Sequence, residues 1–505
     1  MKRSRDEFSL DAESSSKYSP NDPDLLWVGP ADEASGNGSF ENPFGRISTA
    51  LAKVLPGQTI VLKEGTYQGD ATIQVSGAMD RPIRIVAVAE SKAVIYGGCW
   101  YFYDVCDLIV SGLAFRDSPL GAVAVMGSCE RNRFERLHFE NCGHSPKASS
   151  TLFFGGSGAA CNIVELCEFA HSPVEGNRRR DPDSMTVGLM ISEGDTHDGK
   201  PITNHVIRKN RFSNYDYGLL VGAQDACTGQ YGHYIAYNSI GNCLSEGIMV
   251  KCGDTQVRGN IVSQCLHHSI SVVTGEGSVV QENRIIDCGL GIRVAGKGHT
   301  VSNNCIIRSG AESILVMGKN GQDGTATQNI IVENNTCAVW SINNTVHSSA
   351  GIGIDPESSL ILEHNLFFGS GEPYQFTKPG KRNSRHLIVD NAWVGNGASR
   401  EGVVESRAEF AAAESDDYAV DSKYGASGWM CRPFPFDPDA VTPEEIAAQD
   451  SIETDLEENL QTAPDDALDE ENILQKSLFF EQQEQERSRS HRQSGDHCGC
   501  GTAHE

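Results

Sequence analysis

Residues 238–254, NSIGNCLSEGIMVKCGD, are followed by three variants of the same phrase: 260–277, NIVSQCLHHSISVVTGEG; 283–298, NRIIDCGLGIRVAGKG; and 304–320, NCIIRSGAESILVMGKN. Each copy starts at an Asn (Asn238, Asn260, Asn283, Asn304), carries Cys or Ser five residues later, and passes a small residue into an alternating apolar strand. The spacings are 22, 23 and 21 residues. That period is short for paired-helix repeats, and the β-branched content opposes helix, so the stretch predicts a solenoid of stacked β-coils.

Outward from this stretch the same ladder position is Leu113, Leu137, Cys167 and Asn210 on one side and Asn335 and Asn365 on the other. An apolar stack thus becomes an Asn column. Asn side chains stacked about 4.8 Å apart can bond one another and the turn backbone, and a buried Asn without such partners would be costly. Cys243, Cys265 and Cys288 repeat in step and are expected to stack inside as small apolar fillers. The 16 cysteines therefore read as free thiols of a reducing compartment.

The 52 glycines and an aromatic content of 7% suit a chain with many tight corners. The formal charge of −27 is uneven: residues 437–505 carry 19 acidic and 4 basic side chains, which leaves −12 for the rest. A moderately acidic body argues against nucleic acid as a partner. The basic N-terminus lacks a following apolar stretch and the chain has no apolar run of about 18 residues, so neither a secretory signal nor a membrane span is expected, and the cytoplasm is the expected location.

The expected organisation is a disordered segment at 1–23, the solenoid at 24–395, a C-terminal cap at 396–438, and an acidic, largely disordered tail at 439–505. Ile47 to Leu55, stopped by Pro56-Gly57, predicts a short amphipathic helix that plugs the open end of the rod. Irregular spacings at 143–150, 172–186, 193–204 and 222–233 mark long loops on a rigid scaffold, the usual place for function. In the tail, His491, His497, Cys498, Cys500 and His504 resemble a soft-metal tract.

The segment NPFGRISTALAKVLPGQTIVLKEGTY (42–67), followed by PIRIVAVAESKAVIYGG (82–98), resembles the opening of right-handed parallel β-helix proteins of the pectate-lyase-like superfamily, a likeness spanning residues 25 to 395. It implies an all-β, right-handed parallel β-helix of about eleven coils, roughly 50 Å long at about 4.8 Å per coil.

Within each coil, the strand has inward apolar positions and two outward columns. The first is Phe153, Met190, Leu220, Met249, Ser271, Arg293 and Leu315; the second is Gly155, Ser192, Gly222, Lys251, Val273, Ala295 and Met317. SEGIMVKCGD around Lys251 and GLGIRVAGKG around Arg293 resemble the catalytic strand region of β-helix lyases of the chondroitinase B and alginate lyase type. That resemblance implies β-elimination on a polyuronate, with Lys251 and Arg293 as catalytic residues and calcium held by Asn214, Asp216 and Glu246. The position of a second calcium-binding Glu is Leu244, and Val273-Thr274 stand where the family has an Arg-His pair. Glu193 and the neighbouring Asp195, His197 and Asp198, with Asp225 and His233, offer a loop cluster for a metal or a sugar. The alternative is a non-catalytic scaffold that uses the apolar strand face for a protein partner or a second copy of itself.

Overall fold

The computed structural model describes residues 18–420, except 31–35, 145–149, 157, 173–184, 193–201, 223–229, 318–326, 329, 334, 340–349, 370–371, 378–385, 395–402, 406–409 and 413–416. Three parallel sheets wrap one continuous core. The chain visits them in turn, so neighbours within a sheet come from successive coils: Val206–Arg208, then Arg211–Ser213, then Tyr217–Val221 make one coil, stacked under Tyr234–Ala236, Ser239–Gly241 and Glu246–Val250. The three strands of such a coil define sheets 1, 2 and 3, which hold 14, 14 and 12 strands among the described residues. Parallel pairing continues to Val403–Glu405, which adds to Asn391–Val394; Phe410–Ala412 and Asp417–Val420 form an antiparallel hairpin.

Identical residue types stack along the rod because each coil repeats the pattern of the last. In sheet 1, Val164, Ile207, Ile235, Val257, Val280 and Val301 are in register and buried. In sheet 2, Phe139, Phe169 and Phe212 form a face-to-face column with centroids 4.6 and 4.4 Å apart. Such continuous apolar columns supply the folding drive that a single coil cannot provide.

The corner between sheets 1 and 2 is built from the repeat Asn. Oδ1 of Asn260 accepts both the backbone N–H and the Nδ2 amide of Asn238, each at 2.9 Å, while Asn260 Nδ2 donates to Asn283 Oδ1 and to the Ile235 carbonyl one coil back. The pattern extends one position beyond the sequence expectation, to Asn391. Every amide is satisfied from two coils, and truncating one strands several buried groups at about 1–3 kcal/mol each. The residue before the Asn takes a left-handed turn even when it is not glycine, as at Lys209 (φ 55°), Tyr237 (φ 56°) and Glu282 (φ 58°). Cys243, Cys265 and Cys288 are buried, free thiols at the next corner.

A second polar column at the corner between sheets 3 and 1 escaped the sequence reading. Asn132, Asn162, His205 and His233 each accept a backbone N–H from the preceding coil, and Ser278 and His299 continue the pattern. His205 and His233 stack at 5.4 Å.

The helix is shorter than expected, Ile47–Leu51, with Ala50 and Leu51 buried against the core. No helix among the described residues is long and apolar enough to cross a membrane. The tail beyond residue 420, including His491, His497, Cys498, Cys500 and His504, lies outside the described residues.

Candidate functional site on sheet 3

The outer face of sheet 3 is set by a kink that repeats once per coil. At Gly218 an added Cβ would lie 2.8 Å from Ile240 Cγ2, and at Gly247 it would lie 2.6 Å from Val262 Cγ1. These glycines therefore turn toward the interior at a corner where an added Cβ would be crowded, and the small Ser269 fills the equivalent place in the next coil, its Oγ donating to the Leu290 carbonyl. The residue before each kink, Tyr217, Glu246 and His268, starts its strand just outside the core. Beyond the kink Ile248 and Val250 point inward and are fully buried.

The predicted first column is in register: Phe153, Met190, Leu220, Met249, Ser271, Arg293 and Leu315 are successive Cα partners. It is apolar from Phe153 to Met249 and turns polar at Ser271 and Arg293. Lys251 follows the strand Glu246–Val250, its N–H held by the Val221 carbonyl at 2.8 Å, and its side chain has no ion pair or hydrogen bond among the described residues. Arg293 is likewise unpaired, and its Nε is buried without a partner. The Oγ of fully buried Ser271, Arg293's direct neighbour in register, also lacks one.

Glu246 is 5% exposed, and its Oε1 lies 3.2 Å from His268 Nδ1, an ion-pair distance that is out of line for a hydrogen bond. Its Oε2 has no partner. His268 was not anticipated. Its signal is the LHHS of residues 266–269, where His268 falls at the pre-kink position that Tyr217 and Glu246 occupy in earlier coils.

Each of the three expected calcium ligands has a partner within the chain, while Asp216 Oδ1 and Glu246 Oε2 stay buried without a hydrogen-bond partner. Asp216 Oδ2 accepts from the backbone N–H and hydroxyl of Thr186 (2.8 and 3.0 Å), in the preceding coil. Asn214 donates its amide to the His171 carbonyl, also one coil back, whereas Glu246 leans forward to His268. Among the described residues no group of three His, Cys, Asp or Glu side chains is placed to hold a metal ion.

The loop cluster needs a correction. His233 is not in a loop groove but fully buried in the second polar column, where its Nδ1 accepts the His205 N–H. The reason is local: His233 immediately precedes the sheet 1 strand Tyr234–Ala236, the place Asn162 takes before Ile163–Glu165. Burial holds its pKa down at about 4. Glu193, Asp195, His197, Asp198 and Asp225 lie outside the described residues. The expected loops at 143–150 and 172–186 run into sheet 3 strands, Ser150–Gly155 and Val187–Ser192, and those at 193–204 and 222–233 leave sheet 3 strands, so all four flank this one face.

A family model described as a right-handed beta helix region matches residues 196–348. The rod is a right-handed β-helix. The chain is 29% identical over 104 residues to the uncharacterized protein YwoF of Bacillus subtilis (strain 168), which covers 19% of this chain and 22% of that protein. Among solved structures, the β-helix superposes on the PL6 family alginate lyase AlyGC with a TM-score of 0.62 at 16% identity, over 83% of this chain and 58% of the lyase. It also superposes on a mannuronic acid specific polysaccharide family 6 lyase from human gut microbiota (TM-score 0.54, 18% identity, 72% and 88% coverage). The catalytic unit of a GH87 α-1,3-glucanase from Streptomyces thermodiastaticus strain HF3-3 matches at a TM-score of 0.51 and 13% identity, over 74% of this chain and 68% of that one. Identities this low establish the shared fold, and the presence of a lyase and a glucanase on one scaffold leaves the chemistry to the site.

Proposed function

We propose that this β-helix is a carbohydrate-active protein whose outer sheet 3 face takes an acidic polysaccharide, and that it cleaves a polyuronate by β-elimination. The observation that carries the reading is the pair of cations, Lys251 and Arg293, held on one face without counter-ions among the described residues, in a chain whose body is net acidic. The similarity to polysaccharide family 6 lyases supports the same reading.

In this chemistry Lys251, as the free amine, takes the proton from the carbon next to the uronate carboxylate. The electron pair of that C–H bond becomes the C4=C5 double bond, the C4–O4 bond breaks, and the departing oxygen takes a proton. The Glu246–His268 pair at the start of the neighbouring strands is the group offered for that last step. No metal is needed for the balance. The apolar half of the column, Phe153 to Met249, gives sugar rings a surface to stack on.

The test is to supply alginate, pectate and chondroitin to the full chain and follow the ultraviolet absorbance of unsaturated product. A rise with one polymer is expected. Silence across the panel, with and without calcium, would overturn the lyase reading. A second reading rests on the same apolar stripe: a partner protein or second copy could cover Met190, Leu220 and Met249, and a concentration-dependent dimer without polysaccharide binding would favour it.

A further inference from the structure

We infer that the N-terminal end of sheet 3 carries an aromatic platform, Tyr101, Tyr103 and Phe153, which holds a pyranose chain by its ring faces far from the two cations. This rests on the proposed function and adds to it an uncharged subsite. Tyr101 and Met249 lie five coils apart in the order of sheet 3, a distance of about 24 Å along the rod.

The platform follows from the strand pattern. In Trp100–Tyr103, Trp100 and Phe102 are fully buried in the core, while Tyr101 is half-buried and Tyr103 is 39% exposed on the outer face. The two tyrosine rings are nearly parallel, 12° apart in plane with centroids 6.3 Å apart. In the next coil their register partners are Ala124 and Met126, and in the coil after that Phe153 and Gly155. A Cβ added at Gly155 would lie 2.6 Å from Phe153 Cζ, so the Phe153 ring leans over the glycine and lies along the sheet. The result is a run of half-buried and exposed rings over three coils, where single exposed aromatics would call for no explanation.

The occupant follows from shape, charge and continuity. From Thr72 to Gly155 neither outward column holds a Lys or Arg, so this stretch offers a ring face and no attraction for a carboxylate. Aromatic faces take the C–H face of a pyranose, whose hydroxyls then point sideways. At the sides stand exposed Thr72 and Asp104, the latter accepting the Ser128 N–H with Oδ1 at 2.8 Å. Coils advance by about 4.8 Å, close to the length of one sugar unit in an extended chain, so successive sugars fall on successive coils. The platform also runs without a break into the apolar column from Phe153 to Met249. A chain that reaches both ends gains from the second contact as an intramolecular event, so affinity should grow with ligand length.

The experiment is equilibrium binding of sized alginate, pectate and chondroitin oligosaccharides to the full chain, with Lys251→Ala in place so that the ligand stays intact. Chains of about eight units are expected to bind at least about tenfold tighter than chains of about four. Tyr103→Ala and Phe153→Ala should each cut that gain to about threefold or less, and Tyr103→Phe should keep it, because the ring makes the contact. The gain should also persist when the carboxyls of both lengths are reduced to alcohols, since the platform holds no cation. Equal affinity for the two lengths, a gain intact in both alanine variants, or a gain lost on carboxyl reduction would overturn the platform and leave the carbohydrate reading standing. Failure of either length to bind would overturn both.

Discussion

The outer faces of sheets 1 and 3 are built by the same repeat and treat charge in opposite ways. On sheet 1, Glu165 is nearly buried and is gripped by Arg133 and by Arg208 Nε at 2.8 Å, and further along Arg258 pairs with Glu282 at 2.9 Å. The corners follow the same habit, with Arg131 on Asp107 and Arg308 on Asp287. On sheet 3, among the described residues, Lys251 and Arg293 have no such partner, Ser271 Oγ bonds nothing, and Glu246 keeps one oxygen without a partner. Pairing is what stacking naturally produces, since each coil brings side chains of the next within reach. Where, among the described residues, Lys251, Ser271 and Arg293 lack it over three successive coils, the face is poised for something outside the chain.

That contrast can be broken experimentally. The largest effect belongs to Lys251→Ala, which should lower product formation by at least about 100-fold, in the range for loss of a general base, with an unchanged melting temperature. A comparable activity in the variant would remove Lys251 from the chemistry.

Next in size is acid sensitivity, which resides in the buried polar column rather than on either face. Burial holds His233 and His299 down at about 4 and lowers His205 below its usual range. Between about pH 6.5 and 4 the unfolded chain takes up protons that the folded chain refuses, so stability is full above pH 6.5 and is lost as pH falls through that window. Denaturant melts across this range should show a loss of a few kcal/mol, and His233→Asn, which places the Asn162 side-chain type at the His233 position, should flatten the curve. A flat wild-type profile would count against neutral, buried imidazoles.

On sheet 1, Glu165→Gln leaves Arg208 without its carboxylate and Arg133 with Glu135 alone, and should cost about 2 kcal/mol, less than a fully buried pair because both arginines retain some water. Its activity should be that of the wild type. The smallest effect is expected at Ser271→Ala. Removing a hydroxyl that bonds nothing should change stability by less than about 0.5 kcal/mol or raise it slightly in denaturant melts. A clear loss of stability there would mean the hydroxyl has a structural partner.

Much of the fold was legible because a solenoid writes its geometry repeatedly: the period, the Asn column and the inward apolar positions all recur in register, so each copy checks the others. The second polar column was not legible, because Asn162, His205, His233 and Ser278 are chemically unlike and share only the ability to accept a backbone N–H. The same ambiguity misplaced His233 as a surface group. At the site, Lys251 and Arg293 stood out as breaks in the repeat. His268 and Ser271 did not, since a His beside another His and a Ser in a strand carry no signal until the register sets them beside Glu246 and Arg293. The partners of Asn214, Asp216 and Glu246 depend on which coil each side chain leans toward, a direction that spacing alone leaves open.

The most direct test of the contrast between faces is arginine-selective labelling of the full chain with phenylglyoxal, read by mass spectrometry with and without a saturating polyuronate. The account predicts that the polymer shields Arg293 on sheet 3 and leaves the labelling of Arg258 on sheet 1 unchanged. Shielding of Arg258 with Arg293 still reactive, or no ligand-dependent change at either, would contradict it.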